Sequence, residues 1–150
     1  MILLQGIVCL AATVSFAVLF AAPKSELAFC GIAGAVAWIC YLISINLGFT
    51  SVFSNLLACF CLTLISRIFA ATRKTPATIY LIPGIFPLVP GAGIYYTSYS
   101  LIMNDMSAFS SNAASTLKTA GALVLGIIFG TALPQKWFNA LQKVTSKTDD

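Results

Sequence analysis

Three prolines and three glycines interrupt residues 82 to 96, IPGIFPLVPGAGIYY, in a stretch otherwise apolar enough for lipid. They are Pro83, Pro87 and Pro90 with Gly84, Gly91 and Gly93. Each proline lacks a backbone donor and disturbs the carbonyl one turn earlier, so residues 82 to 91 are not expected to form a regular helix. In hydrocarbon, unpaired backbone is tolerated only where protein covers it or where it lines a water-filled cavity. Broken helices of that kind hold solutes in membrane transporters. A second half-helix starting near Gly91 would present free N–H groups and a positive dipole end, which favours an anionic group such as a substrate carboxylate. The chemistry on offer is the binding and passage of a solute. A plain packing kink is the competing reading.

Other polar residues fall around this break. Tyr95, Tyr96, Thr97, Ser98, Tyr99 and Ser100 follow it, with Tyr95 and Tyr99 on one helical side. They either face a cavity or form an aromatic belt at the outer interface. Asn55 is the asparagine deepest in an apolar segment, and suits either solute binding or the locking of helices. Arg67, Arg73 and Lys74 lead into the break. They are read either as topology signals touching lipid headgroups or as a basic vestibule that concentrates an anion. Glu26 and Asp105 are the two acids available for proton coupling within the apolar part, both expected near interfaces. There is no histidine, no P-loop, no GxSxG and no pair of carboxylates. An enzyme is therefore not expected, nor is a cofactor, a metal or a nucleic-acid partner.

The elements that must position these residues follow from the charges. Of 150 residues 59% are hydrophobic and 8% charged, against about 25% charged in a soluble domain. Residues 1 to 23, 27 to 66, 75 to 104 and 119 to 135 carry no charge. A span takes roughly 20 apolar residues, so the chain reads as a single all-α polytopic membrane domain over 1–150. The first run, Ile2 to Ala22, resembles a signal peptide at LFAAPKS, but it is long and has no basic start; a retained helix is expected. The 40 uncharged residues from 27 to 66 would make one helix of ~60 Å, so they must fold back at SINLGFTS. That predicts spans over 27–47 and 50–70, a broken fourth over 76–103, a polar link NDMSAFSSNAAST, and a fifth over 116–133.

Lysine and arginine bias sets orientation. With five crossings, Lys24, Arg67, Arg73, Lys74, Lys136, Lys143 and Lys147 all share one side and Lys118 alone takes the other. That distribution requires the broken segment to cross, with the N-terminus outside and the C-terminus cytoplasmic. The tail places Trp137, Phe138, Leu141 and Val144 on one side and its lysines on another, which suits either a short amphipathic helix at the interface or a frayed basic tail. Ala122, Gly126 and Gly130 recur at four-residue spacing, which permits close helix approach within the chain or between subunits. The five cysteines (Cys9, Cys30, Cys40, Cys59 and Cys61) lie in apolar segments without a CxxC pair and are read as packing residues.

The string RKTPATIYLIPGIFPLVPGAGIYY, in a chain of this length and hydropathy, resembles the small split subunit of the threonine/serine exporter family, the YjjB-like half. Arg73, Pro76, Pro83, Pro87, Pro90, Gly91 and Tyr95 carry the resemblance. It implies an inner-membrane exporter working with a larger membrane subunit, for threonine and serine or, in some two-component versions, succinate. Five spans are few to enclose a solute pathway, so a partner or a homo-oligomer is expected on size as well. The competing class is a non-transporting assembly subunit.

Overall fold

The computed structural model describes residues 2–134, and every regular element among them is helical. The helix expected around Trp137 and Lys143 lies outside the described residues. In chain order the α-helices are α1 (Ile2–Leu19), α2 (Leu27–Asn46), α3 (Ser51–Arg73), α4 (Thr78–Ile85), α5 (Gly91–Ile102) and α6 (Met106–Ala132). Short 3-10 turns occupy Lys24–Glu26 and Phe86–Leu88. Lys24–Asn46, α3 and α6 are each long and apolar enough to cross a membrane, and Thr78–Leu88 with Gly91–Ile102 adds a fourth span if that pair, bent by 52°, counts as one. α1 is apolar but shorter than the ~20 residues a span usually takes.

The helix ends follow local chemistry. Gly48 adopts φ +89°, a left-handed value that glycine takes without strain, and lets the chain reverse after α2. Thr50 then caps α3, its hydroxyl accepting from Phe53 N at 3.4 Å. Lys74 closes α3 in the left-handed region with its N–H on the Ala70 carbonyl. The segment expected to be a polar link is helical from Met106 onward. Asp105 caps it by accepting from Ala108 N at 2.9 Å. The hydroxyls of Ser110 and Thr119 donate to carbonyls one turn back, so a polar sequence satisfies itself within a helix.

Close contacts fix how the helices run. Gly126 lies against Leu56, Cys59 and Phe60, Gly130 against Thr63, and Arg67 against the end of α6. Numbers rise together along both helices, so α3 and α6 are parallel. α4 runs back along α3, with Gly84 beside Leu62 and Leu88 beside Asn55. The chain therefore leaves α3 at one end and, through α4, the break and α5, returns to the end where α3 began before starting α6. The core lies between α2, α3 and α4, where Ala33, Ala37, Ala58, Cys59 and Leu62 are fully buried. Its small side chains let the backbones approach closely.

Candidate functional site

The break is narrower than its composition suggests. α4 continues through Pro83 and Gly84 to Ile85, against the expectation that helix fails from residue 82. The reason is a remote donor. Pro83 cannot bond the Ile79 carbonyl, and the Cys30 thiol of α2 donates to that oxygen at 3.3 Å instead. Beyond Ile85 the ladder does lapse. Val89 N is shared between the Ile85 and Phe86 carbonyls at 3.2 and 3.3 Å. Val89 is extended, Pro90 takes φ −74° and ψ 61°, and Gly91 N donates to Val89 O at 2.7 Å, the geometry of an inverse γ-turn. The Leu88 carbonyl, freed by the lapse, accepts from Asn55 Nδ2 at 3.2 Å. Asn55 is 3% exposed, so its depth in the sequence does correspond to a buried polar contact with the break.

A cleft of about 270 Å³ opens beside this contact, bounded by α2, α3, the broken segment and α6. Asn55, Pro87 and Pro90 lie in its wall, joined by Trp38, Tyr41, Ser51, Thr116 and Thr119. Among the described residues no charged side chain lines it. Asn55 Oδ1 and Thr116 Oγ1 are covered and have no hydrogen-bond partner among the described residues. Buried polar atoms are satisfied in the large majority of cases, so two orphans in one wall call for an account. Thr116 abuts Gly93, where a Cβ would collide with its hydroxyl. This close approach seats α5 on α6. Of the wall hydroxyls, Ser115 falls in the expected link, while Thr116 and Thr119 fall at the start of the expected fifth span without being singled out. The signal that reveals them is their shared helical side with Asn112.

The remaining predicted residues are dispersed. Pro83 is buried and Gly84 is packed so tightly that a Cβ would meet Leu62 at 2.5 Å. Gly91 faces open space, and Tyr95 is exposed, stacked on Tyr99 with ring centres 6.2 Å apart. Gly126 and Gly130 serve the α3–α6 seam inside the chain. Arg67 donates to the carbonyls of Gly130, Thr131 and Leu133, a cation on a helix C-terminus. Arg73 pairs with Glu26 at 2.6 Å and lies over the Phe29 ring at 4.3 Å. Glu26 also accepts from Tyr80 at 2.6 Å and Ser25 at 3.1 Å. This knot ties the α1–α2 turn, the end of α3 and the base of α4 together. Lys74 projects from the left-handed cap, exposed. The three cations thus do not converge on the cleft.

A chain of long apolar helices with a polar cleft at an unwound break has the build of a transporter. The family model described as Threonine/Serine exporter, ThrE, matches residues 5–133. The chain belongs to the threonine/serine exporter family. That is a family of membrane transporters and not of enzymes, and the match runs from α1 to the end of α6, so it takes in every element around the cleft. No curated protein and no solved structure matched this exporter-family chain.

Proposed function

We propose that this chain is one subunit of a two-component exporter that moves small carboxylated metabolites, threonine and serine or a dicarboxylate such as succinate, across the inner (plasma) membrane. It acts with a larger membrane partner, and its N-terminus lies outside and its C-terminus in the cytoplasm. The observation that carries the reading is the cleft at Pro87–Pro90, where unwound backbone, Asn55 and the hydroxyls of α6 meet in one uncharged wall. Polar groups at that depth are costly in lipid unless something occupies or hydrates them. Orientation is supported by the lysine and arginine bias, together with a broken segment that returns to the starting end of α3. α5 rests chiefly on α6 and leaves Tyr95, Tyr99 and Ile102 exposed, which gives a partner subunit or a second copy a surface to cover.

The test is flux. The chain is co-purified with its membrane partner, reconstituted into proteoliposomes, and loaded in turn with threonine, serine and succinate. Faster release of at least one solute than from empty vesicles is expected. Equal retention of all three would remove the transport function. A complex that assembles but never carries solute would favour a scaffolding role.

A further inference from the structure

The end of the bundle opposite the cleft carries a second concavity. A groove of about 340 Å³ runs between the α1–α2 turn, at Phe20 and Pro23, and the first turns of α4, at Ile79, Ile82 and Pro83. Its walls are largely apolar, and Phe20 and Ile82 stand exposed along it. Cations border the groove. Lys24 follows Pro23 directly and opens one span, Arg73 closes the neighbouring span, and Lys74 comes next. The Arg73–Glu26 contact of 2.6 Å brings the two span ends together. Tyr80, donating to the same carboxylate oxygen, seats α4 against them. Lys24, Arg73 and Lys74 are all exposed. Among the described residues Glu26 is the acid at this end, and its side chain is enclosed, so the outer face stays positive. Arg73 meets Glu26 through Nε, and the paired terminal nitrogens of its guanidinium keep donors for a further acceptor. That fork matches two oxygens of a phosphate.

Two spans end here, so the cations lie at headgroup depth, while the groove follows α4 toward Pro83 and the apolar layer. Basic pockets between membrane helices hold anionic headgroups. The tail of any lipid would suit an apolar groove; the charge at its mouth decides the headgroup. We infer that the groove is a binding site for one anionic phospholipid. Its phosphate lies against Lys24, Arg73 and Lys74, and its tail lies along Phe20, Ile79 and Ile82. Such a lipid bridges the α1–α2 turn to the base of α4, the short helix that leads into the break. This site is separate from the solute cleft and does not depend on which solute is carried.

The test counts bound lipid on the full chain, without reference to flux. The chain is moved from nanodiscs of mixed phosphatidylglycerol and phosphatidylcholine into mild detergent, and retained lipid is measured by native mass spectrometry. A lysine beside an anionic headgroup is worth roughly fivefold in affinity. Two lysines therefore favour phosphatidylglycerol over phosphatidylcholine by at least about 25-fold. Replacing both, Lys24→Gln with Lys74→Gln, leaves Arg73 alone and should reduce that preference to about fivefold or less. Lys118→Gln removes the same charge from α6 and should leave retention unchanged. Ile82→Trp fills the groove from an exposed position and should lower phosphatidylglycerol retention with every cation intact, which loose electrostatic attraction would not show. Adding phosphatidylglycerol should raise the thermal midpoint in detergent, and adding inorganic phosphate should not. Equal retention of the two lipids by the unaltered chain would overturn the inference. Equal losses in Lys118→Gln and the paired lysine variant, or unchanged retention in Ile82→Trp, would do the same. A midpoint raised as far by inorganic phosphate would assign the cations to a free anion and remove the lipid site.

Discussion

Gly126→Ala is the sharpest test of how the bundle is held. A Cβ at Gly126 would stand 2.5 Å from the Leu56 carbonyl oxygen, 2.8 Å from Cys59 Cβ and 3.0 Å from Phe60 N. Two of those three neighbours are backbone atoms of α3, which cannot rotate aside as a side-chain tip can. Reaching the 3.4 Å of ordinary contact from 2.5 Å requires α6 to retreat by about 0.9 Å. A gap of 0.5–1 Å forfeits roughly a quarter to a half of the dispersion energy of the atoms it separates. Overpacking of a tight interface costs typically ~1–3 kcal/mol, which at this chain length lowers a thermal midpoint by roughly 2–12 °C. Gly121→Ala is the matched control. The same residue type on the same helix has no atom within 4 Å of a built Cβ, so alanine there should be neutral or gain up to ~1 kcal/mol of helix propensity. The two variants are compared by thermal unfolding in detergent, with oligomeric state followed alongside. Equal midpoints would refute the internal seam. A changed oligomer with an unchanged midpoint would assign the glycine stripe to a subunit contact.

Three further outcomes follow from named contacts. Cys30→Ala strips the Ile79 carbonyl of its donor and should cost about 1–3 kcal/mol, whereas Cys30→Ser keeps a donor and should recover most of that loss; equal unfolding midpoints would remove the thiol's role in carrying α4 through Pro83. Arg73→Met should destabilise more than Glu26→Gln, because the carboxylate side chain is 5% exposed and the guanidinium 34%. The arginine left behind can hydrate and the carboxylate cannot, so the reverse order in denaturant midpoints would mean that the pair does not hold the α4 base. Lys118→Cys should react with a membrane-impermeant thiol reagent from outside intact cells, above the background of the native cysteines, and Lys74→Cys only after permeabilisation. The opposite pattern would invert the orientation.

The sequence made the break visible because proline and glycine act locally, through a missing donor and a missing Cβ. It does not show the extent of the break, because the donor that satisfies the Ile79 carbonyl in place of Pro83 is a thiol 49 residues from Ile79. Asn55 was legible as a buried polar residue from its depth in an apolar run, and its partner, the Leu88 carbonyl, was not. The start of α6 is hidden in the sequence for a related reason. Serine and threonine read as loop formers when counted, yet Ser110 and Thr119 bond to their own helix and Asp105 caps it. Glu26 shows the limit most plainly. Nothing in the spacing of Glu26, Arg73 and Tyr80 announces that three elements close on a single carboxylate. The all-helical class and the place of the break are thus accessible from hydropathy, charge and the placement of proline and glycine, while the identity of the opposing wall depends on which distant helices meet.

The parallel seam between α3 and α6 has a consequence for biosynthesis. Cys59 and Gly126 touch across 67 positions of chain, and at about 5–20 residues per second the ribosome needs roughly 3–13 s to make what lies between them. During that interval α3 has already been made, with Asn55, Thr63 and Ser66 on the side that α6 and α4 will cover. A nascent chain arrested before α6 therefore exposes a polar stripe within the bilayer. That stripe is a ready mark for membrane quality control, so chains truncated before Met106 should be cleared faster than full-length chains.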